Sequence, residues 1–251
     1  MTGLRARAKL TWTLEITGRR GDGLHTLRAE MTTIHQEDIL VIDVDADYVH
    51  VFNPFPTPVP SGAENIVARA LALVGRRAGV QIEKGIPVGG GLGGGSADAA
   101  AILRWAGGVA PEVAVTLGSD VPFCQVGGRC LVEGVGEVLT PLAFEARDVT
   151  LMMPDFGVDT AACYRAYDEM WNDGWRPTGL NHLEEPAGRV EPRLADTLAR
   201  LRTVVGDDVG LAGSGSTLFV GRHVRDAGAF HWDDEGPHGR VQFLQTGTTP
   251  H

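Results

Sequence analysis

Apolar and polar side chains alternate over residues 6–17, ARAKLTWTLEIT, with Leu10, Trp12, Leu14 and Ile16 on one face and Lys9, Thr11, Thr13 and Glu15 on the other. A period of two predicts a half-buried β-strand whose polar face carries Lys9. The turn residues GRRGDG follow, and HTLRAEMTTI and DILVIDVDADYVHV read as two further strands. Four prolines in 53–62 bar that stretch from a sheet interior and predict a loop. The spacing then becomes helical in ENIVARALALVGRRAG, where Ile66, Val67, Ala70, Leu71 and Val74 share one side. A strand VQIEKGI leads into a run of glycines, and a helix leaves it at Ser96 with SADAAAILRWAG.

Beyond that helix the pattern predicts a short helix near 112–117, the segment GSDVPF, and a hairpin over GGRCLVEGVGEVLTPL. DVTLMMP reads as a buried strand opening a second half. Helices follow over 160–171, 180–187 and 192–205, before GLAGSGSTLFVG and a last strand VQFLQTGTT. Strands, then helices, then returning strands predict an α+β protein in two halves, 1–146 and 147–251. No repeat or low-complexity segment interrupts this order.

Composition narrows the class. With 251 residues, 43% of them hydrophobic, the chain can bury a full core. A formal net charge of −10 argues against nucleic-acid or membrane-surface partners, which favour basic faces. Anionic small molecules stay open, because Arg5, Arg7, Lys9, Arg19 and Arg20 cluster within the first 20 positions. Cys124, Cys130 and Cys163 form no CxxC pair and have no metal-ligand spacing, so they read as small core residues in a reducing cytoplasm. No segment approaches the roughly 20 apolar residues of a bilayer span, and the start of the chain lacks a secretory h-region, so a cytoplasmic location is expected.

The chemistry concentrates in GIPVGGGLGGGSADAA, where six glycines fall in the seven positions from Gly89 to Gly95. Glycines let successive backbone N–H groups converge, and the following helix start adds its own unpaired donors and dipole. Such a junction suits phosphate. A Walker loop requires lysine after the last glycine, whereas Ser96 and Ala97 follow Gly95. Gly89, Gly91 and Gly94 satisfy the dinucleotide pattern, but the strand before them ends at a proline and Glu112 does not follow a second strand. A merely tight turn would carry the entropic cost of this run with no packing return.

PVGGGLGGGSADAA resembles the phosphate-binding signature of the GHMP kinases, a family of small-molecule kinases. The likeness extends to ARAKLTWTLEITGRRGDGLH, ENIVARAL, LGSDVPFCQVGGRCLVEGVGEVLTPL and GLAGSGSTLFV, and so covers the chain nearly end to end. It implies the two-domain GHMP α+β fold with the active site between the halves, ATP and Mg2+ as cofactors, and phosphoryl transfer to an alcohol. On this likeness Pro87, Gly89, Gly90, Gly91, Leu92, Gly93, Gly94, Gly95 and Ser96 form the ATP loop, with Ser96 capping the helix and facing magnesium. Asn65 matches a position near the adenine nucleoside, and the helix N-cap is an equal reading. Asp120 of GSDVPF matches the catalytic aspartate that accepts the hydroxyl proton, and Lys9 pairs with it. The chain has two lysines among 22 basic residues, so Lys9 also stands out as a compact charge where a forked guanidinium would not fit. The other, Lys84, reads as an exposed strand residue.

The acceptor implied is a cytidine diphosphate-linked methylerythritol. DGLH is similar to the family's DGYH, so His25 is expected to read cytosine, while Leu24 replaces an aromatic that stacks on it. Tyr164 falls where the family has a second aromatic. Thr11 stands where asparagine is usual, Arg7 where proline is usual, and Gly213, Ser214 and Gly215 complete the substrate side. A mevalonate- or homoserine-like acceptor, or a catalytically silent nucleotide-binding homologue, are the alternatives. The chain is expected to be a monomer or weak homodimer.

Overall fold

The computed structural model describes residues 1–55, 57–224 and 240–250. Strands β1 (Thr2–Arg19) and β2 (His25–Asp43) form one long antiparallel hairpin, paired from Thr2↔Ile42 to Arg19↔His25. The two strands expected after the first turn are therefore divided differently. β2 runs unbroken through His35, Gln36 and Glu37 to Asp43, and the chain turns only at 44–47 before β3 (Tyr48–Phe52). The reason is pairing on both edges: β1 covers one, and β4 (Gly79–Glu83) and β5 (Arg129–Gly134) share the other. β3 lies parallel to β4, and β6 (Val138–Pro141) completes the predicted hairpin with β5.

A second, antiparallel sheet contains β7 (Asp148–Pro154), β8 (Gly210–Leu211), β9 (Leu218–Val220) and β10 (Val241–Gly247), in the order β10-β7-β9-β8. β7 is buried on both faces, as its apolar run predicts, and Thr150 within it donates its hydroxyl to the Arg222 carbonyl. Val149, Leu151 and Met153 pack into the core shared with the first sheet, and Met152 joins a separate core under the later helices. Those helices are α5 (Thr160–Asn172), α6 (Glu184–Val190) and α7 (Pro192–Val204).

Against the first sheet pack α1 (Ile66–Leu73) and α2 (Gly94–Trp105). α1 is shorter than its apolar periodicity suggests. Gly75, at φ +63°, closes it, with Arg76 N–H donating to Leu71 and Gly75 N–H to Ala72. A short α3 (Pro111–Ala114) leads to α4 (Val121–Val126), a helix the sequence reading leaves out of GSDVPF; Pro122 sits in its first turn. The centre of β1 is stitched to the later residues by Leu14, whose N–H donates to Leu180 and whose carbonyl accepts from His182. Among the described residues no helix is long and apolar enough to cross a membrane.

Candidate active site

Gly89, Gly91 and Gly93 adopt φ of +78°, +81° and +70°, so the loop alternates through backbone that L-residues rarely reach. Close packing adds a second demand for glycine. A Cβ on Gly91 would stand 2.5 Å from the Ala212 carbonyl, one on Gly90 would stand 2.7 Å from Thr217 Oγ1, and one on Gly215 would strike the Gly90–Gly91 backbone. The loop and GLAGSGST thus interlock, with Thr217 N–H donating to the Gly90 carbonyl at 3.1 Å. Leu92, the one side chain in the run, is buried in the core as an anchor, and only its backbone borders the loop.

The helix after the loop starts earlier than expected. Gly93 occupies the N-cap in left-handed conformation and α2 begins at Gly94, so Ser96 sits half-buried in the first turn and is not the cap. The three N–H groups before Ala97 have no intrahelical acceptor, and a Cβ on Gly95 among them would meet only Ile66, at 3.6 Å. This open cradle fits a polyphosphate. The cavity beside it is lined by Val59, Asn65, Pro87 and glycines of the loop, with the buried Lys84 and Asp98 at its back. Asn65 is the N-cap of α1: its Oδ1 accepts from Val67 N–H at 2.8 Å and its Nδ2 donates to the Pro60 carbonyl at 2.7 Å. The capping reading of Asn65 is thus realised, with the same residue on the cavity wall.

Lys9 does not lie on a solvated face. It is 4% exposed, and Thr11 is 1% exposed, because this stretch of β1 is covered by the glycine loop. Lys9 N–H donates to the Leu92 carbonyl at 3.0 Å, and the Gly93 Cβ position is 2.8 Å from Lys9 Cγ. Lys9 Nζ donates to Thr11 Oγ1 at 3.0 Å and lies 3.3 Å from Asp120 Oδ2. Asp120 holds the N-cap position of α4 yet makes no capping bond, which leaves its carboxylate for Lys9. Gly213, at φ +74°, closes over the pair: its Cβ position is 3.1 Å from Lys9 Nζ, and Asn181 Nδ2 holds its carbonyl at 2.7 Å.

Lys84 corrects the expectation of an exposed strand residue. Its ammonium is sealed between Asp38 and Asp98, bonded to Asp38 Oδ2 and, at 2.8 Å, to Asp98 Oδ2. Asp38 Oδ1 also accepts from the N–H groups of Gly85 and Ile86 at 2.7 and 2.8 Å, fixing the entry to the glycine loop. Burial tends to lower the Lys84 pKa, but the two carboxylates outweigh it and hold the ammonium above its ordinary value. Burial pushes Asp98 up to about 8, only partly offset by Lys84 and reinforced by Asp38, and its Oδ1 has no hydrogen-bond partner. β-Periodicity could not reveal this site, whose partners come from β2 and α2.

On the acceptor side, His25 stacks on Tyr164 with ring centroids 5.0 Å apart. Burial, with the Asp120 charge adding to it, raises the Tyr164 phenol pKa. His25, Tyr164, Leu24 and Ser119 line one cavity, and Leu24 is 53% exposed there. Ser214 Oγ is bonded to Thr160 Oγ1 at 3.1 Å. Asp168, which the sequence motifs do not single out, lies 2.7 Å from His25 Nε2.

The glycine cradle, the Lys9–Asp120 pair and the glycine turn at Gly213 meet at one site, as the likeness to the GHMP kinases, a class of small-molecule kinases, implies. Residues 65–128 match the family model described as GHMP kinases N terminal domain. Mevalonate kinase of L. major in complex with R-mevalonate superposes with a TM-score of 0.62 over 100% of this chain and 97% of that one, at 15% identity, a likeness of fold alone. A crystal structure of 4-(cytidine 5'-diphospho)-2C-methyl-D-erythritol kinase matches with a TM-score of 0.72 at 31% identity, covering 99% of this chain and 100% of that one. The 4-diphosphocytidyl-2-C-methyl-D-erythritol kinase of Paracoccus denitrificans is 36% identical over 231 residues, 85% of this chain and 84% of its own. The chain belongs to the 4-diphosphocytidyl-2-C-methyl-D-erythritol kinase family.

Proposed function

We propose that this chain transfers the γ-phosphoryl group of ATP to the 2-hydroxyl of 4-diphosphocytidyl-2-C-methyl-D-erythritol, a step of the non-mevalonate route to isoprenoid precursors, in the cytoplasm. The observation that carries the reading is the meeting of the phosphate cradle and the Lys9–Asp120 pair across Gly93. Residues 1–146 hold the nucleotide loop and the lysine–aspartate pair, and 147–251 complete the acceptor side.

Asp120 takes the proton of the 2-hydroxyl as that oxygen bonds to the γ-phosphorus and the bond to the β,γ-bridging oxygen breaks, giving a phosphomonoester and ADP. Lys9 orients that carboxylate and supplies positive charge to the developing alkoxide. Thr11 Oγ1 accepts from Lys9 Nζ and so helps hold that ammonium beside Asp120. Backbone N–H groups from Gly93 to Ser96 hold the phosphates, Asn65 and Pro87 border the nucleoside, and Gly213 and Ser214 close over the acceptor. His25 and Tyr164 receive the cytosine.

Magnesium, if carried in with the nucleotide, would supply positive charge to the phosphates during transfer. Ser96 is the side chain that would hold it.

The test is ADP release with ATP and Mg2+ on the cytidyl acceptor, beside mevalonate, homoserine and a blank. ADP that depends on the cytidyl acceptor alone is expected. Turnover only on another alcohol would overturn the substrate while leaving the kinase assignment.

A further inference from the structure

His25 is held from three directions. Its face lies against Tyr164 at an interplanar angle of 25°, Tyr167 meets it edge-on at 6.0 Å, and its Nε2 is 2.7 Å from Asp168 Oδ1. Asp168 is itself braced, because its Oδ2 lies 3.2 Å from Arg19 Nη1. The contacts join the turn end of the β1–β2 hairpin to α5, two regular elements, so the ring has little freedom to turn over and exchange its nitrogens.

A carboxylate paired with arginine accepts hydrogen bonds and does not donate them, so this geometry puts the ring proton on Nε2. In the neutral imidazole Nδ1 is then a lone-pair acceptor, and the described residues offer it no hydrogen-bond donor. Cytosine presents an amino group where uracil presents a carbonyl oxygen. An acceptor nitrogen pairs with the first and repels the second. With Leu24 in place of a stacking aromatic, hydrogen bonding through His25 carries more of the choice of base.

We propose that Asp168 is a positioning residue that fixes His25 as an Nδ1 acceptor and so makes the pocket select an amino-bearing base, cytosine, over uracil. The inference rests on the reading that His25 faces the base of the acceptor. Asp168→Asn keeps the shape but can turn its amide N–H toward Nε2, moving the ring proton to Nδ1, whereas Asp168→Glu keeps a carboxylate.

The experiment measures kcat and KM separately for cytidine- and uridine-diphosphate-linked methylerythritol, with 15N chemical shifts of the His25 ring recorded in parallel. The wild type is expected to favour cytidine and to show the Nε2–H tautomer. Asp168→Asn should lose about ten- to a hundredfold of that preference through the cytidyl KM, with kcat little changed and the tautomer switched. Asp168→Glu should restore most of both. An unchanged preference in folded Asp168→Asn overturns the inference, as does a wild-type ring protonated on Nδ1, a result that needs no turnover. A wild type that ignores both nucleotides and phosphorylates another alcohol overturns the substrate reading and the base selection with it, and the ring spectrum then reports the tautomer alone.

Discussion

The two lysines of this chain occupy the two sides of one glycine loop and do different work. Lys9 rests under Gly93, and Lys84 reaches Gly94, whose Cβ position is 3.2 Å from its Nζ. Both are buried and both pair with aspartate, yet Lys84 is enclosed by carboxylates that are 0% and 4% exposed, whereas the Asp120 side chain beside Lys9 is 27% exposed. A lysine–aspartate pair becomes chemically useful only where one partner opens to a ligand. Sealed, the same pair is a rivet that fixes the strand leading into the loop.

The sharpest way to break this contrast is Asp120→Asn. We expect kcat to fall by about 10^2–10^4-fold with the unfolding midpoint nearly unchanged, read from ADP release and thermal denaturation. Its counterpart is Lys84→Met, which leaves Asp38 and Asp98 facing each other without a cation and should cost about 3–5 kcal/mol in urea unfolding. Lys9→Met, measured beside it, should lose activity with a smaller change in stability; equal destabilisation by both would remove the distinction between rivet and reagent.

A finer test separates backbone strain from packing. Gly93→Ala forces a methyl toward Lys9 at φ +70°, while Gly108→Ala, at φ +83°, enters open space. Each should lose about 1–2 kcal/mol for the left-handed backbone, but only Gly93→Ala should also lower kcat. On the acceptor side, Leu24→Tyr restores a stacking face and should tighten base binding by about 1–3 kcal/mol, seen as a lower KM for the cytidyl acceptor. The last test is a slope of stability against pH. Folding raises Asp98 from 3.8 to about 8, so within that window the native state holds a proton that the unfolded chain releases. Its contribution is full below the unfolded value and is lost as pH rises through the folded one. Denaturation midpoints followed across the window should be flatter for Asp98→Asn than for the wild type.

Local signals made much of the site legible. The glycine run, Asp120 within GSDVPF and the unusual lysine at position 9 are all motif-borne, and the hairpin over 127–142 follows from its turn glycines. What local pattern missed was set by partners distant in the chain. Alternation along one strand cannot say that Lys84 will meet Asp38 and Asp98, nor that the loop will cover Lys9 and Thr11. Cap preference points to Ser96, while the contacts of Gly93 with β1 put the cap three residues earlier. Asp168 carries no motif of its own and gains meaning only through His25.

By itself, then, the sequence determined most of the elements, the glycine loop and the family, because periodicity, glycine content and ordered motifs are properties of neighbours along the chain. Tertiary structure decided which lysine is paired with a half-open aspartate and which with sealed ones, where the helix begins, and which carboxylate meets the histidine. Those outcomes depend on burial and on groups far apart in sequence, such as Leu14 with His182 or Gly91 with Gly215, that only folding brings within reach.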